Sequence, residues 1–160
     1  MSDKFKLTPD IITPLDLGRV IREAEKLDDY LLQAGLRDQK TVDSLPKVTR
    51  MLEEVSEVNG LNLLDETHRK HLIGNLRAVR TSARKIHVSF AVEPSPAVMK
   101  KMVAWFRQNV EEDLIIEIGI QPTISVGCVV RTTNKIFDMS LRHRFSDSKG
   151  LLSELLEKTK

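Results

Sequence analysis

The sequence predicts an α+β fold: an N-terminal helical bundle of about three long helices, followed by a small mixed sheet covered by helices. Apolar residues recur at the helical period as far as Ala83, whereas several later stretches alternate strictly, as half-buried strands do. The second half also runs strand, helix, strand, hairpin, helix, the order of a small sheet with helices laid on it. The boundary falls between residues 84 and 85, giving a helical domain over 1–84 and an α/β domain over 85–160.

The first helix opens at Thr13, an N-cap followed by proline at the first helical position, and runs to about Ala34, where Gly35 can end it. Leu17, Val20, Ile21, Ala24, Leu27, Leu31 and Leu32 occupy less than half its circumference at about 100° per residue. Arg19, Arg22, Glu23 and Lys26 are left toward water, so the helix needs a partner surface. A second helix is signalled by Ser44 ahead of Pro46, then by Val48, Met51, Leu52, Val55 and Val58, with Asn59-Gly60 as its stop. The third starts near Asp65, an N-cap or first-turn acid, and passes through Leu72, Leu76, Val79 and Ala83. Gly74 inside it costs about 1 kcal/mol relative to alanine.

In the second half Ile86, Val88, Phe90 and Val92 alternate with His87, Ser89, Ala91 and Glu93 until Pro94 ends the run. Ser95-Pro96 then opens a helix with Val98, Met99, Met102, Val103, Phe106 and Val110 on one side and Lys100, Lys101 and Arg107 away from it. Leu114, Ile116, Ile118 and Ile120 form a second alternating run that Pro122 stops. A third strand over Val126 to Arg131 turns at Thr132-Thr133-Asn134-Lys135 into a fourth, where Phe137, Met139 and Leu141 share one face and Asp138, Ser140 and Arg142 the other. Leu151 to Leu156 make a short C-terminal helix that frays at its end.

Composition excludes several classes. With 41% hydrophobic residues and 30% charged residues among 160, the chain is neither disordered throughout nor collagen-like. Its one cysteine, Cys128, can form no internal disulfide, which fits a reducing compartment, and the opening residues lack the layout of a secretory signal. The longest apolar run, from Leu114 to Ile120, is broken by Glu117, far short of the roughly 20 residues of a membrane span, so a membrane connection is expected to be peripheral. Seven glycines form neither common phosphate-binding loop, and no cofactor is expected. His68 and His71, with Asp65, are the nearest approach to a metal set, but a site wants three or four ligands and solvated histidines are the plainer reading. His87 and His143 read as exposed strand residues, and Cys128 as a small buried hydrophobe.

Charge is more informative. From Thr67 to His87 the cations Arg69, Lys70, Arg77, Arg80, Arg84 and Lys85 occur without an acidic residue, and five of them fall within about 100° of one another beside the apolar stripe. This ridge reads either as a docking surface for an acidic partner, a protein helix or a phosphate backbone, or as a solvated face balanced by the acidic second helix. Trp105, at the edge of its helix's apolar arc, either closes the core or anchors a protein partner.

The stretch Gln121-Pro122-Thr123-Ile124-Ser125-Val126-Gly127-Cys128-Val129-Val130-Arg131, followed by Lys135-Ile136-Phe137-Asp138-Met139-Ser140-Leu141-Arg142, resembles the C-terminal domain of the delta subunit of F-type ATP synthases, the oligomycin sensitivity conferring protein of mitochondria. The family shows a proline, an Ile-Gly-Gly, an apolar strand, a short turn, and an apolar residue before Asp-x-Ser-Val/Leu-Arg. Glu93-Pro94-Ser95 and the helix after it also sit where the family places them. Val126 stands for the first glycine of the pair and Asn134 near a usual turn glycine, a position where asparagine tolerates a left-handed conformation. The resemblance covers about half the chain, and nothing in the helical half matches residue by residue.

The resemblance implies a non-catalytic peripheral-stalk subunit at the cytoplasmic face of the cell membrane, without cofactor. The helical domain would grip alpha subunits of the catalytic head and the C-terminal domain would bind the b subunit, so that rotor torque is resisted and ion flow drives ATP synthesis. Arg69, Arg77, Arg80, Arg84, Trp105, Asp138, Ser140 and Arg142 are the expected partner-binding residues, with Gly127 and Asn134 structural. The E subunit of V-type peripheral stalks has a similar ending and is a nearby alternative. An RNA- or DNA-binding accessory protein using helix 67–87 is the other.

Overall fold

The computed structural model describes residues 5–36, 46–124 and 126–140. Ser44, Ser125, Leu141, Arg142, His143 and the expected helix at 151–156 lie outside the described residues. Among the described residues four helices, α1 (Pro14–Leu36), α2 (Arg50–Val58), α3 (Glu66–Ser82) and α4 (Pro96–Asn109), and four strands, β1 (Lys85–Phe90), β2 (Ile115–Ile120), β3 (Cys128–Arg131) and β4 (Ile136–Asp138), give the α+β class that the sequence predicts. The chain packs as two compact units, Met1–Arg84 with Lys100–Ile115, and Lys85–Met99 with Ile116–Lys160. The stretch 100–115, which the sequence boundary assigns to the second domain, thus groups with the helices.

In the helical unit, local chemistry sets the ends of the helices. Thr13 Oγ1 accepts from the Asp16 amide at 3.2 Å while Asp16 Oδ2 accepts from the Thr13 amide at 2.9 Å, a reciprocal box that starts α1. α1 runs through Gly35 instead of stopping there. α2 starts at Arg50, later than the Ser44-Pro46 signal suggests; its N-cap Thr49 makes no side-chain cap bond and donates its hydroxyl to Glu23 of α1 instead. Its C-terminus follows the sequence: Gly60 has φ 64°, and the amides of Gly60 and Leu61 donate to the carbonyls of Glu57 and Ser56, a Schellman closure. Asp65 caps α3 by accepting from the His68 amide. Leu17, Val20, Ile21, Ala24 and Leu27 of α1 then bury against Leu52 and Val55 of α2 and Leu72, Ile73, Leu76 and Val79 of α3, with Ile11 and Ile115 in the same core.

In the other unit the sheet order is β2-β1-β3-β4. β1 and β3 are antiparallel with Val88 opposite Val130, and β3 and β4 are antiparallel with Val130 opposite Phe137. β2 runs parallel to β1, since amide donations from Ile115 to Arg84 and from Gln121 to Phe90 advance together along both strands. Three expected strand ends are shorter. Val92 lies past the end of β1 and is exposed, Val126 precedes β3 and is exposed, and β4 stops at Asp138.

Candidate partner-binding surfaces

The basic ridge of α3 is largely neutralised. Arg69 is buried, its Nε 2.8 Å from Asp28 Oδ1 of α1, and its Nη1 donates to the carbonyls of Leu63 and Leu64. It belongs to the interior of the unit, not to a docking face. Lys70 pairs with Glu66 at 2.5 Å, and that hydrogen bond raises the pKa of its ammonium. Arg77 pairs with Glu25 of α1, Arg84 lies 3.0 Å from Glu111, and Lys85, in the sheet unit, lies 3.7 Å from Glu117. Arg80 alone of the six has no ion pair among the described residues. The balancing acids come from α1, from α3 itself, from Glu111 ahead of β2 and from Glu117 within β2, not from the acidic face of α2.

The pairing of Arg69 had a signal in the sequence. Arg69 precedes Leu72, Ile73 and Leu76 by three, four and seven residues, and Asp28 follows Ala24 by four and precedes Leu31 by three. Both charges therefore stand in line with core stripes, and opposite charges at such positions on neighbouring helices are expected to meet.

Arg107 is a second departure. It was expected to point away from the apolar side of α4, yet its Nε donates to the Leu114 carbonyl, its Nη1 to Thr8 and its Nη2 to Ile11. These bonds tie the N-terminal segment to α4 and to the approach to β2. Burial pushes the guanidinium pKa down to about 10, a cost that the three carbonyls offset. Beside Arg107 a cleft of about 720 Å³ is lined by Leu7, Pro9, Val58, Val103 and Val110, with Lys6, Glu111 and Glu112 at its charged edges.

Trp105 is 56% exposed and meets the Phe106 ring edge-on, with centroids 5.3 Å apart. Phe106 is buried, so Trp105 stands on a fixed base and presents an indole to solvent, as an interface anchor does.

The hairpin residues have separate tasks. Gly127 has φ 100°, and a Cβ there would lie 2.4 Å from the Met139 carbonyl oxygen, so the conformation and the space both require glycine. Ser140 is buried and its amide donates to Asp138 Oδ1 at 2.9 Å, an Asx turn just past the end of β4. Asn134 does not take the left-handed conformation. The turn is closed instead by Thr132, whose amide donates to the Lys135 carbonyl and whose hydroxyl accepts from the Lys135 amide. Cys128 is half-buried, and burial first, then Asp138, pushes its thiol pKa up.

His68 and His71 are not brought into a metal set. His68 Nδ1 accepts from the Asn62 amide at 3.0 Å, and His71 faces Asn75 one turn on. No group of three or more His, Cys, Asp or Glu among the described residues is placed to hold a metal. No described helix is long and apolar enough to cross a membrane.

The family model described as the ATP synthase delta (OSCP) subunit matches residues 15–152, which takes in α1 to α3 as well as the sheet. It therefore extends well past the half of the chain where motifs are readable by eye. No curated protein matches the chain.

Proposed function

The chain belongs to the ATP synthase delta (OSCP) subunit family, whose members are structural peripheral-stalk subunits, and from that premise we propose that it is the stator adaptor of a rotary F-type ATP synthase. It links the catalytic head to the b-subunit stalk and resists rotor torque, so that ion flow is coupled to ATP synthesis. The observation that carries this reading is a single family match over residues 15–152 that spans both units.

In this reading the helical unit takes the alpha subunits and the sheet unit takes the b subunit, at the cytoplasmic face of the membrane. Each unit offers a surface of suitable chemistry. The helical unit has the apolar cleft beside Arg107 and the exposed Trp105, and the sheet unit has open apolar side chains on β2 and β4. The nucleic-acid alternative draws no support from α3, because most of its cations face carboxylates of this same chain.

Affinity capture of the tagged full chain from gently solubilised native membranes, with nuclease present, tests the proposal. Recovery of alpha, beta and b subunits supports it. Recovery of nucleic-acid-associated proteins that vanish with nuclease, without ATPase subunits, overturns it.

A further inference from the structure

Residues 5–12, ahead of α1, are gripped by side chains from two sides of the helical unit. On the α2 side the Asn59 carboxamide accepts from the Lys6 amide at 2.8 Å and donates to the Lys6 carbonyl at 2.9 Å, reading one residue's backbone as a neighbouring strand would. On the other side Arg107 Nη1 and Nη2 donate to the Thr8 and Ile11 carbonyls, and Lys100 pairs with Asp10. Between these grips Ile11 is buried in the core of α1, α2 and α3, and Phe5 and Leu7 pack against the same core. Leu7 and Pro9 also line the cleft beside Arg107, together with Val103, whose own exposure is 0%.

Two features of this arrangement favour release. Thr8 is 3% exposed and its hydroxyl has no hydrogen-bond partner among the described residues, a cost that water removes once the segment leaves. Arg107 is desolvated beneath the same segment, its pKa lowered to about 10 mainly by burial, and release rehydrates it. Departure also leaves the neighbouring helices their own ends. α1 starts at Thr13 with its own capping box, and Asn59 keeps its bond to the Val55 carbonyl at 2.7 Å. The grips on the segment are side-chain bonds to its backbone, so none of them belongs to a helix ladder.

We propose that residues 5–12 form a strap that opens as a unit about Thr13 while α1, α2 and α3 stay folded, and that this strap gates the apolar cleft beside Arg107. Closed, it ties the stretch 100–115 to the helical core and supplies one wall of the cleft. Open, it uncovers Val103 and frees the Asn59 carboxamide and the Arg107 guanidinium, groups that bind an extended backbone whatever its side chains.

Thiol labelling of the full chain tests the gate, with Cys128→Ala removing the native thiol. Val103→Cys reports on the cleft, and Leu72→Cys, in the core of the helices, reports on unfolding. With the strap intact, labelling at 103 is expected to be about 100-fold faster than at 72 and less steeply dependent on urea, since strap opening exposes less surface than unfolding. Thr8→Val, which removes the unpartnered hydroxyl, is expected to slow labelling at 103 about tenfold, and Asn59→Ala to speed it about tenfold. Equal rates and equal urea dependence at 103 and 72 mean that the segment leaves only on unfolding, and overturn the proposal. A rate at 103 that neither substitution moves means that the cleft opens without the strap, and overturns it too. Thr8→Val leaves the gripping bonds in place, so its result decides if Asn59→Ala also loosens α2.

Amide hydrogen exchange on the unsubstituted chain needs no cysteine. The Lys6 and Ile11 amides, bonded to Asn59 Oδ1 and the Thr8 carbonyl, are expected to share one opening constant, about 100-fold above that of Leu76 within α3. Separate constants for the two, or a shared constant equal to that of Leu76, overturn the strap. Neither measurement includes a head or stalk protein, so their outcome is independent of the proposed function.

Discussion

Arg69 and Arg80 stand about three turns apart on one helix, and their surroundings give them opposite weights. Arg69 is buried against Asp28, so truncating it leaves a carboxylate in the interior without its partner. We expect Arg69→Ala to cost about 3–5 kcal/mol in urea unfolding of the full chain, because breaking one side of a buried pair strands the other charge. Arg80 is exposed and unpaired among the described residues, and Arg80→Ala is expected to change stability by less than about 0.5 kcal/mol. Replacing both partners, Arg69→Met with Asp28→Leu, is expected to recover most of the loss, since two apolar groups of similar size leave no charge unmatched. A loss below about 1 kcal/mol for Arg69→Ala means the pair does not hold α1 to α3.

At the scale of elements, the caps carry the local order. The His68 amide, donating to Asp65, holds the Asp65 carboxyl pKa below its ordinary value, with the Thr67 amide and the nearby Arg69 charge adding to the effect. A carboxyl whose folded pKa is depressed contributes stability above its unfolded pKa of about 4 and loses that contribution as pH falls through the folded value. Asp65→Ala is therefore expected to lower the melting temperature at neutral pH, with the difference shrinking toward about pH 2, while Asp65→Asn keeps an acceptor and loses less. An equal deficit for Asp65→Ala at both pH values refutes a role for the ionised cap.

Such features are legible because they are short-range: Thr13-Pro14 with Asp16, Asn59-Gly60 and Asp65 each act within a few residues. The start of α2 was misjudged because Thr49 turns its hydroxyl to Glu23, a partner 26 residues away. Arg107 escaped for the same reason, its carbonyl partners lying up to 99 residues distant. Stronger reading of periodicity places it correctly, since it follows Val103 by four residues and precedes Val110 by three. The sequence carries β1 on to Val92 because alternation continues after the hydrogen-bonded ladder has ended, and starts β3 at Val126 because the apolar stretch begins before the ladder does.

Over the whole molecule, the balance of charge distinguishes a protein that binds protein from one that binds nucleic acid. The formal charge is only +2, and the one conspicuous cationic segment is matched by Glu25, Asp28, Glu66, Glu111 and Glu117. Exposed pairs of this kind are worth little in stability, about 0–1 kcal/mol each, but their carboxylates still cancel the field that a phosphate backbone needs. A ligand drawn by phosphates loses affinity with a log-log salt slope of about −0.9 per neutralised phosphate, and of the six cations of the ridge only Arg80, unpaired among the described residues, is left to contribute, a slope of about −1. The ridge is therefore expected to give no appreciable binding of a fluorescent duplex at about 0.15 M salt, and Arg80→Ala is expected to change the slope of any residual binding by no more than about 1. If the proposed stalk and head interfaces are centred on exposed apolar side chains such as Trp105, Ile118 and Ile120, retention of those subunits on the tagged chain should change little over the same salt range. A duplex slope of about −4 or steeper, with stalk retention lost over the same range, reverses the assignment: the carboxylates would then be yielding their cations to phosphate, and α3 would be the principal binding surface.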